Sequence, residues 1–325
     1  MTGKARLRVT AAGSLVSWQD RGRFGHARFG VSPSGPVDRQ ALSGALAAAQ
    51  LAEDAPAIEI AGGGLSLLGE GSALGFALAG PLAALLDGVR LDPWCTGTIL
   101  PGSRLDLRLE GGNWGYLALA GNPCVQRWLG SASTHAASGL GGGRLQSGDV
   151  IPVTNCRALD PGPLPLPPEA APIATVRVVP GPQERHFPPD ALAQLTNATW
   201  RPTAAFDRMG LRLSGPAIPP LSRSMPSEPI VRGALQVDGA GDLTLLLADH
   251  QTTGGYPRLA TVIGQDADRL AQLPPGTPFH FEAVSPEAAL ALARAHAAGR
   301  ARWLEALRCR QPLAERLLAT NLVTA

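Results

Sequence analysis

Lysine is almost absent from this chain of 325 residues, and its absence excludes several kinds of chemistry. Lys4 is the only lysine, so nearly all of the positive charge comes from arginine. Schiff-base catalysis, covalent attachment of biotin and the phosphate-binding loop that ends in Gly-Lys-Ser/Thr all require a lysine. Lys4 lies in an N-terminal segment that we expect to be frayed, so we expect none of these mechanisms in this chain.

Cysteine, net charge and long apolar runs are also scarce. The four cysteines are Cys95, Cys124, Cys156 and Cys309. They form no Cys-x-x-Cys pair and no metal-ligand spacing with histidine, so we expect buried free thiols and no metal site. The net charge of +2, with no basic and aromatic cluster, predicts no nucleic-acid partner. No run of about 18 apolar residues and no signal-peptide pattern is present, so we expect a cytoplasmic protein without membrane contacts.

Glycine and proline, with 39 and 30 residues, are abundant and separate many short apolar runs. This pattern is typical of strands that are joined by tight turns. The predicted strands are 74–79, 105–109, 116–120, 173–179, 211–213 and 243–247. The sequence therefore favours a mainly β fold with peripheral helices.

Two helices are predicted by their start signals. Asp38 can cap a helix that runs to about Leu51, because apolar residues recur there at helical spacing. Ser285 followed by proline marks a second start. Gly299 is a candidate end for that helix, and we expect further helix over 302–318.

The proline-rich segment 160–172 divides the chain. So much proline resists both helix and central strand, so we predict an extended, fairly stiff linker. The domains are then a first β-domain at 1–159, a second at 173–284 and a C-terminal helical segment at 285–325. The two halves end on similar turns, which is a weak hint of two related domains.

Polar residues collect in two places. In the first half, the Gly30–Gly35 loop leads into the helix that Asp38 caps, and such a helix start can bind an anion. The alternative is an ordinary turn followed by a helix cap. In the second half, the 249–256 loop follows an apolar strand, and loops at strand ends are where sites tend to be built.

The second-half cluster contains the residue types that bind and activate anionic substrates. Arginines can hold a carboxylate or a phosphate with two parallel hydrogen bonds, and aspartates can orient them or act as a base. The candidate catalytic residues are Asp207, Arg208, Arg212 and Asp249. The candidate substrate-binding residues are Arg23, Ser34, Asp38, Glu228, Gln236, Gln251, Thr252, Thr253, Gly254, Gly255 and Tyr256. The same charged residues also fit a buried salt-bridge network, and that alternative stays open.

A series of motifs, in order along the chain, resembles the KipA/allophanate hydrolase subunit 2 family. The motifs are Asp20-x-Gly-Arg-x-Gly25, Ser34-Gly-Pro-Val-Asp38, Tyr116-Leu-Ala-Leu-Ala-Gly121, Leu129-Gly-Ser-Ala-Ser-Thr-His135, Gly139 to Gly148, Val179-Pro-Gly-Pro-Gln183, Asp207-Arg-Met-Gly-Leu-Arg-Leu213, Ser227-Glu228 and Asp249 to Pro257. They lie within about residues 15 to 290, so the resemblance covers nearly the whole chain.

The resemblance implies tandem cyclophilin-like β-barrel domains and a partner from the KipI/allophanate hydrolase subunit 1 family. For bacterial members it implies the C component of an ATP-dependent 5-oxoprolinase, which opens 5-oxoproline to L-glutamate. The partners are then the B component, which is the KipI-like protein, and a homologue of the A component, in an assembly that we expect to be a heterotetramer. ATP with magnesium is the implied cofactor of the complex, and we expect this chain to be inactive alone.

Fold kinship with this family leaves two other functions open. One is carboxyl transfer or allophanate hydrolysis, in which a biotin-dependent partner carries the biotin. The other is a KipA-like regulatory protein that binds a KipI-like kinase inhibitor without turnover.

Overall fold

The computed structural model describes residues 3–222 and 225–309. Strands dominate it, and they form three large curled sheets and one small ribbon. All neighbouring strands run antiparallel except β14 and β22, which are parallel. The mainly β class with tandem β-domains and peripheral helices is therefore confirmed.

The first half contains thirteen strands and one α-helix among the described residues. The strands are β1 (Gly3–Ala12), β2 (Ser17–Gln19), β3 (Ala57–Ile60), β4 (Gly64–Gly71), β5 (Leu74–Ala79), β6 (Leu82–Leu86), β7 (Val89–Leu91), β8 (Cys95–Ile99), β9 (Arg104–Leu109), β10 (Gly115–Leu119), β11 (Asn122–Pro123), β12 (Val150–Cys156) and β13 (Gly162–Pro163). Helix α1 spans Arg39–Ala48, and a 3₁₀ turn spans Ala27–Phe29. The first sheet has the order β11-β12-β1-β4-β9-β6-β7, and the second has the order β13-β8-β5-β10-β3-β2.

The second half is built on one seven-stranded sheet. Its strands and those of the ribbon are β14 (Thr175–Pro180), β15 (Arg201–Phe206), β16 (Gly210–Ser214), β17 (Glu228–Pro229), β18 (Ala234–Val237), β19 (Leu243–Leu246), β20 (Thr253–Gly254), β21 (Arg258–Val262) and β22 (His280–Ala283). The helices are α2 (Ala191–Asn197), α3 (Gly264–Gln272) and α4 (Pro286–Arg308), with a 3₁₀ turn at Glu184–His186. The third sheet has the order β15-β16-β19-β18-β21-β14-β22, and β17 pairs with β20 in the ribbon.

Burial patterns explain how the layers stack. Strand β1 alternates between exposed and buried positions, which is the pattern of a sheet with one face in water. Strands β5 and β10 are buried at every position, because the second sheet is covered on both faces. One face packs on the first sheet, and the other contributes Ala77 and Trp114 to a core that continues into the second half. The two halves therefore share one hydrophobic core, and the first half has a second core between its two sheets.

The predicted helix starts are confirmed, and one predicted helix end is wrong. The Asp38 carboxylate accepts a hydrogen bond from the Ala41 amide at 2.9 Å, and Ser285 caps α4 in the same way. Helix α4 passes through Gly299 and continues to Arg308, because Trp303, Leu304 and Leu307 bury their side chains against the core. The predicted helix over 310–318 lies outside the described residues.

Two smaller expectations also need correction. Lys4 is not frayed, because it lies within β1 and pairs with Thr154 of β12. The described cysteines form no disulfide bond with one another, and Cys124 and Cys309 are exposed rather than buried as we expected.

The proline-rich segment is tied to the body of the protein by side chains from three helices. They donate to its backbone carbonyl groups: Trp303 to Pro165 (3.0 Å), Gln40 to Pro168 (3.1 Å) and Arg269 to Ala171 (2.9 Å). None of the described helices is long and apolar enough to cross a lipid bilayer.

The contact between α1 and α4 gives a test of the fold. A Cβ atom at Gly44 would lie 2.4 Å from the Trp303 ring, whereas nothing lies within 4 Å of one at Gly299. We expect Gly44→Ala to lower the free energy of unfolding by about 1–3 kcal/mol through overpacking. Gly299→Ala should raise it by about 0.5–1 kcal/mol, because alanine favours a helix interior. Urea unfolding of both variants measures the difference, and a stabilised Gly44→Ala would contradict this packing.

Candidate functional site

A groove of about 560 Å³ lies on the outer face of the third sheet. Five of the predicted site residues line it: Asp207, Arg212, Gln236, Gln251 and Tyr256. Sequence reasoning did not single out Thr244, Asp238 and Met209, which also line it. Much of the second-half cluster is thus brought together in one concave surface, the usual form of a small-molecule site.

Strand register explains why these side chains converge. In β16, Leu211 and Leu213 point into the core, so Arg212 between them points outward. Arg212 pairs with Thr244 of β19, which in turn pairs with Gln236 of β18. The three side chains therefore form one row across three adjacent strands, which we call the polar row.

Arg212 is the cationic end of the polar row. Its side chain is 53% exposed, and its two ion pairs are long, at 3.8 Å to Asp238 and 4.0 Å to Asp242. Exposed pairs of this kind contribute little free energy. The guanidinium group is therefore available to an incoming carboxylate or phosphate, which it can hold with two parallel hydrogen bonds.

The 250–256 loop covers the other end of the polar row. Thr253 and Gly254 form β20 and pair with Glu228 and Pro229 of β17, which brings Glu228 to the same side of the sheet. Thr252 accepts a backbone hydrogen bond from Ile230 at 3.0 Å. The ribbon thus fixes the loop that carries Gln251 and Tyr256, and Gly255 lies between them.

Glu228 belongs to a cluster beside the groove rather than to its lining. Its carboxylate accepts a hydrogen bond from Gln183 at 2.5 Å and one from Arg258 at 3.5 Å. Arg185 lies 3.6 Å from its other oxygen. These contacts hold one end of the ribbon in place.

Arg208 and Asp249 lie beneath the groove, in a buried cluster that joins the two halves. Arg208 makes two 3.0 Å hydrogen bonds to the Asp249 carboxylate. It also pairs with Glu59 and donates to the Gly35 carbonyl at 2.5 Å and to Gln19 at 3.3 Å. All three charged side chains are at most 2% exposed. The structure thus shows the salt-bridge network that the sequence had left open, and a catalytic role for Arg208 and Asp249 stays a prediction.

The charges in this cluster stabilise one another. Burial works against the charged form of Arg208, but the carboxylates of Glu59 and Asp249 raise its pKa. Burial also tends to raise the pKa of Asp249, but the charge of Arg208, its hydrogen bonds and one from the Ala136 amide hold that pKa below its usual value. Arg208 and Asp249 are therefore both charged at neutral pH.

Arg23 and Ser34 are also buried, on the first-half side of this cluster. The Arg23 guanidinium lies 4.9 Å from the centre of the Trp128 ring and donates to the Ser133 carbonyl. Burial lowers the pKa of Arg23. Ser34 is 7% exposed and has a left-handed backbone, with φ of 54°. Neither residue lines the groove, and their substrate-binding role stays a prediction.

Asp38 lies at a separate cleft of about 220 Å³ beneath the proline-rich segment. It caps α1 and accepts a hydrogen bond from Gln272 at 2.8 Å. The Arg39 amide donates to Asp268 at 3.2 Å, so two carboxylates of the chain itself satisfy this helix start. Two alternatives were predicted for this helix start, an anion site and an ordinary helix cap, and the structure shows the helix cap. Burial and the nearby carboxylate of Asp268 raise the pKa of Asp38 to about 6.

Several residues of the interface between the halves were missed. Glu59 also accepts from the Tyr116 hydroxyl at 2.7 Å and the Val37 amide at 2.9 Å. Arg232 reaches from the second half to the carbonyl groups of Pro36 and Val37. The one local signal for Glu59 is its position as a charged residue inside the otherwise apolar strand Ala57–Ile60. Within the described part of the chain, no three histidine, cysteine or acidic side chains cluster to hold a metal ion.

The fold and its motifs define a class of protein. Residues 29–283 match the family described as carboxyltransferase domain, subdomain A and B. The match covers most of the chain, so the chain belongs to this family, and the resemblance drawn from the motifs is confirmed.

Three known proteins show the range of the family. The C component of the Escherichia coli K12 5-oxoprolinase is 36% identical over 299 residues, which cover 87% of this chain and 93% of that protein. The crystal structure of TTHA0988 superposes on this chain with a TM-score of 0.77 at 34% sequence identity. The match covers 85% of this chain and 55% of the TTHA0988 chain. The Kluyveromyces lactis urea carboxylase superposes on this chain with a TM-score of 0.82 at 25% sequence identity. The match covers 94% of this chain and 30% of the urea carboxylase chain.

The buried cluster predicts a large loss of stability when its cation is removed. Arg208→Met leaves Glu59 and Asp249 as uncompensated buried charges, so we expect it to lower the free energy of unfolding by about 3–5 kcal/mol. Arg212→Met, on the exposed face of β16, which begins two residues after Arg208, is the matched control and should change it by less than about 0.5 kcal/mol. Urea unfolding at pH 7 measures both, and equal effects would contradict the described burial.

The raised pKa of Asp38 predicts a pH dependence of stability. Its pKa is about 6 in the folded protein against 3.8 ordinarily, so between these values the folded state binds more protons than the unfolded state. Stability should therefore fall as pH rises from about 4 to 6, by up to about 3 kcal/mol from this group.

Asp38→Asn tests this assignment, because asparagine also caps helices but does not ionise. The variant should match the wild type near pH 4 and exceed it in stability above pH 6. Thermal unfolding across this range measures the slope, and an unchanged slope would show that Asp38 is not its source.

Proposed function

We propose that this chain is the C component of an ATP-dependent 5-oxoprolinase, which opens 5-oxoproline to L-glutamate together with partners like the A and B components. The 36% identity to a 5-oxoprolinase C component, over most of both chains, supports this proposal. The observation that carries it is the groove, where a half-exposed arginine faces a concave surface of suitable size.

The groove suits the chemistry of this substrate. 5-Oxoproline is a small ring with one carboxylate and one lactam group. In our proposal Arg212 holds the carboxylate, since its own ion pairs are long and exposed. Phe206, Met209 and Leu246 supply apolar groove surface for the ring. Binding in this orientation leaves the lactam group toward Gln236.

Opening the ring requires ATP because a lactam carbonyl is a poor electrophile. Phosphoryl transfer from ATP to the lactam oxygen releases ADP and breaks the π bond between that oxygen and the ring carbon. Water then adds to this carbon, and the C–N bond breaks to release the amine and leave an acyl phosphate. A second water hydrolyses the acyl phosphate to the carboxylate and inorganic phosphate. This chain has no Gly-Lys-Ser/Thr loop. The proposal therefore assigns nucleotide and magnesium to the complex, and substrate positioning to this chain.

A second candidate function is carboxyl transfer with a biotin-carrying partner. The superposition on the Kluyveromyces lactis urea carboxylase, at a TM-score of 0.82, favours it. Biotin must then reside on the partner, because Lys4 is the only lysine and lies within β1. A neighbouring biotin carboxylase gene would support this function, and a neighbouring gene for the A component would support the lactam reaction.

The reconstituted complex tests the proposal directly. ATP hydrolysis and glutamate release are measured with and without 5-oxoproline, for the wild type and for Arg212→Ala. We expect Arg212→Ala to raise KM for 5-oxoproline about 10- to 100-fold, because it loses charged hydrogen bonds to the carboxylate. Arg201→Ala, on the neighbouring strand and outside the groove, is the matched control and should behave as the wild type.

Two results would contradict the proposal in different ways. A normal KM in Arg212→Ala would remove this residue from the site. A stable wild-type complex whose ATP hydrolysis does not respond to 5-oxoproline would reject the lactam reaction, and carboxyl transfer from a biotinylated partner would then be measured instead.

A further inference from the structure

Two carboxylates lie near the guanidinium group of Arg212, but only one of them faces the groove. Asp238 lies 3.8 Å from the guanidinium group and Asp242 lies 4.0 Å from it. Asp238 and Arg212 line the groove together, whereas Asp242 and Arg212 line a separate pocket of about 210 Å³. Both distances exceed a hydrogen bond, so a ligand in the groove can bind Arg212 and Asp238 without breaking one.

The turn that follows β18 fixes the orientation of the Asp238 carboxylate. Its Oδ1 atom accepts hydrogen bonds from the backbone amides of Ala240 at 2.9 Å and Asp242 at 3.1 Å. Its Oδ2 atom faces Arg212, and no described residue donates a hydrogen bond to that atom. The side chain is 32% exposed, so it is open to the groove without being fully solvated. The groove therefore presents a cation beside one oriented acceptor.

We propose that Arg212 and Asp238 together recognise a carboxylate and an N–H group that the ligand carries on the same carbon atom. The carboxylate binds the guanidinium group, and the N–H group donates to Asp238 Oδ2. Standard bond lengths place such a carboxylate oxygen and nitrogen about 3 Å apart. A ligand that lies across the 3.8 Å between the two side chains therefore reaches both of them. The ligand class is an α-amino acid or its cyclic amide.

That this ligand is 5-oxoproline rests on the proposed function. The carboxylate and the lactam N–H of 5-oxoproline are attached to the same carbon, so the molecule belongs to the class that the pair recognises. Asp207 also lines the groove, but it forms no ion pair with Arg212 among the described residues. The proposal therefore assigns the nitrogen to Asp238 and makes this residue specificity-determining.

The same pair also suits the product of ring opening. When the C–N bond breaks, both protons of the water that added to the ring carbon end on the nitrogen, which becomes an ammonium group. Asp238 then faces a full positive charge instead of a neutral N–H group, so its hydrogen bond strengthens during the reaction. An interaction that strengthens toward the transition state raises kcat.

Asp238→Asn tests the assignment, because the turn fixes how asparagine is oriented. Its amide oxygen takes the position of Oδ1, where two backbone amides require an acceptor, so its NH₂ group takes the position of Oδ2. The variant then has a donor where the wild type has an acceptor. Asp242→Asn is the matched control, because it removes a carboxylate at nearly the same distance from Arg212 but outside the groove.

The first measurement is binding to the reconstituted complex without ATP, by titration calorimetry. The ligands are 5-oxoproline and its lactone analogue, in which a ring oxygen replaces the N–H group. The wild type and Asp242→Asn should bind 5-oxoproline about 10- to 100-fold more tightly than the lactone, the effect of one hydrogen bond to a charged group. Asp238→Asn should reverse this preference, because its NH₂ group donates to the ring oxygen.

Turnover of 5-oxoproline with ATP is the second measurement. Asp238→Asn should lower kcat about 10-fold or more, because its NH₂ group opposes the ammonium group that forms. Asp242→Asn should keep wild-type kcat. Both variants should keep the wild-type melting temperature, since the turn retains its acceptor.

Three results would overturn the inference. One is that Asp238→Asn and Asp242→Asn both keep the wild-type preference, which would limit Asp238 to tuning the charge around Arg212. The others are a wild-type complex that binds lactam and lactone equally, and one that binds neither.

The two proposals fail in distinguishable ways. Normal glutamate release by the wild type, with no reversal of preference in Asp238→Asn, overturns the paired site and leaves the proposed function standing. A wild-type complex that releases no glutamate, in which Asp238→Asn still reverses the preference, overturns only the proposed function.

Discussion

The buried guanidinium group of Arg208 is the interaction on which the arrangement of the two halves depends. It comes from the second half, yet Glu59 and the Gly35 carbonyl, two of its acceptors, belong to the first. Asp249 completes its set of acceptors from the second half. Charges this deeply buried are tolerated only when each is matched, so the geometry admits little relative movement of the halves. The shared apolar core then forms around a fixed junction.

This junction also shapes the groove above it. Arg208 shortly precedes β16, and Asp249 follows β19 by three residues, so the buried pair fixes the ends of two adjacent strands. Arg212 and Thr244 stand on the opposite face of these strands. Because the buried pair fixes the strands that support the binding surface, the side chains on that surface keep a constant spacing. Preorganised recognition requires such constant spacing.

Much of the fold could be predicted from the sequence, because its strands are short apolar runs bounded by glycine and proline. The predicted strand Leu74–Ala79 agrees with β5 at both ends, and the caps at Asp38 and Ser285 follow from local chemistry. Whether Arg208 or Arg212 faces a groove could not be predicted in that way. The burial of Arg208, in contrast to the exposure of Arg212, depends on Glu59, which is 149 residues away from Arg208 in the sequence. Long-range pairing of this kind leaves no local pattern.

The proline-rich segment is extended, yet it does not act as a free tether. Helices α1, α3 and α4 each donate a hydrogen bond to a different carbonyl of the segment. For two copies of the chain to exchange their second halves, all three attachments would have to break together with the buried ion pairs. Domain swapping uses connections that detach easily, so this architecture protects the chain against that route to misassembly.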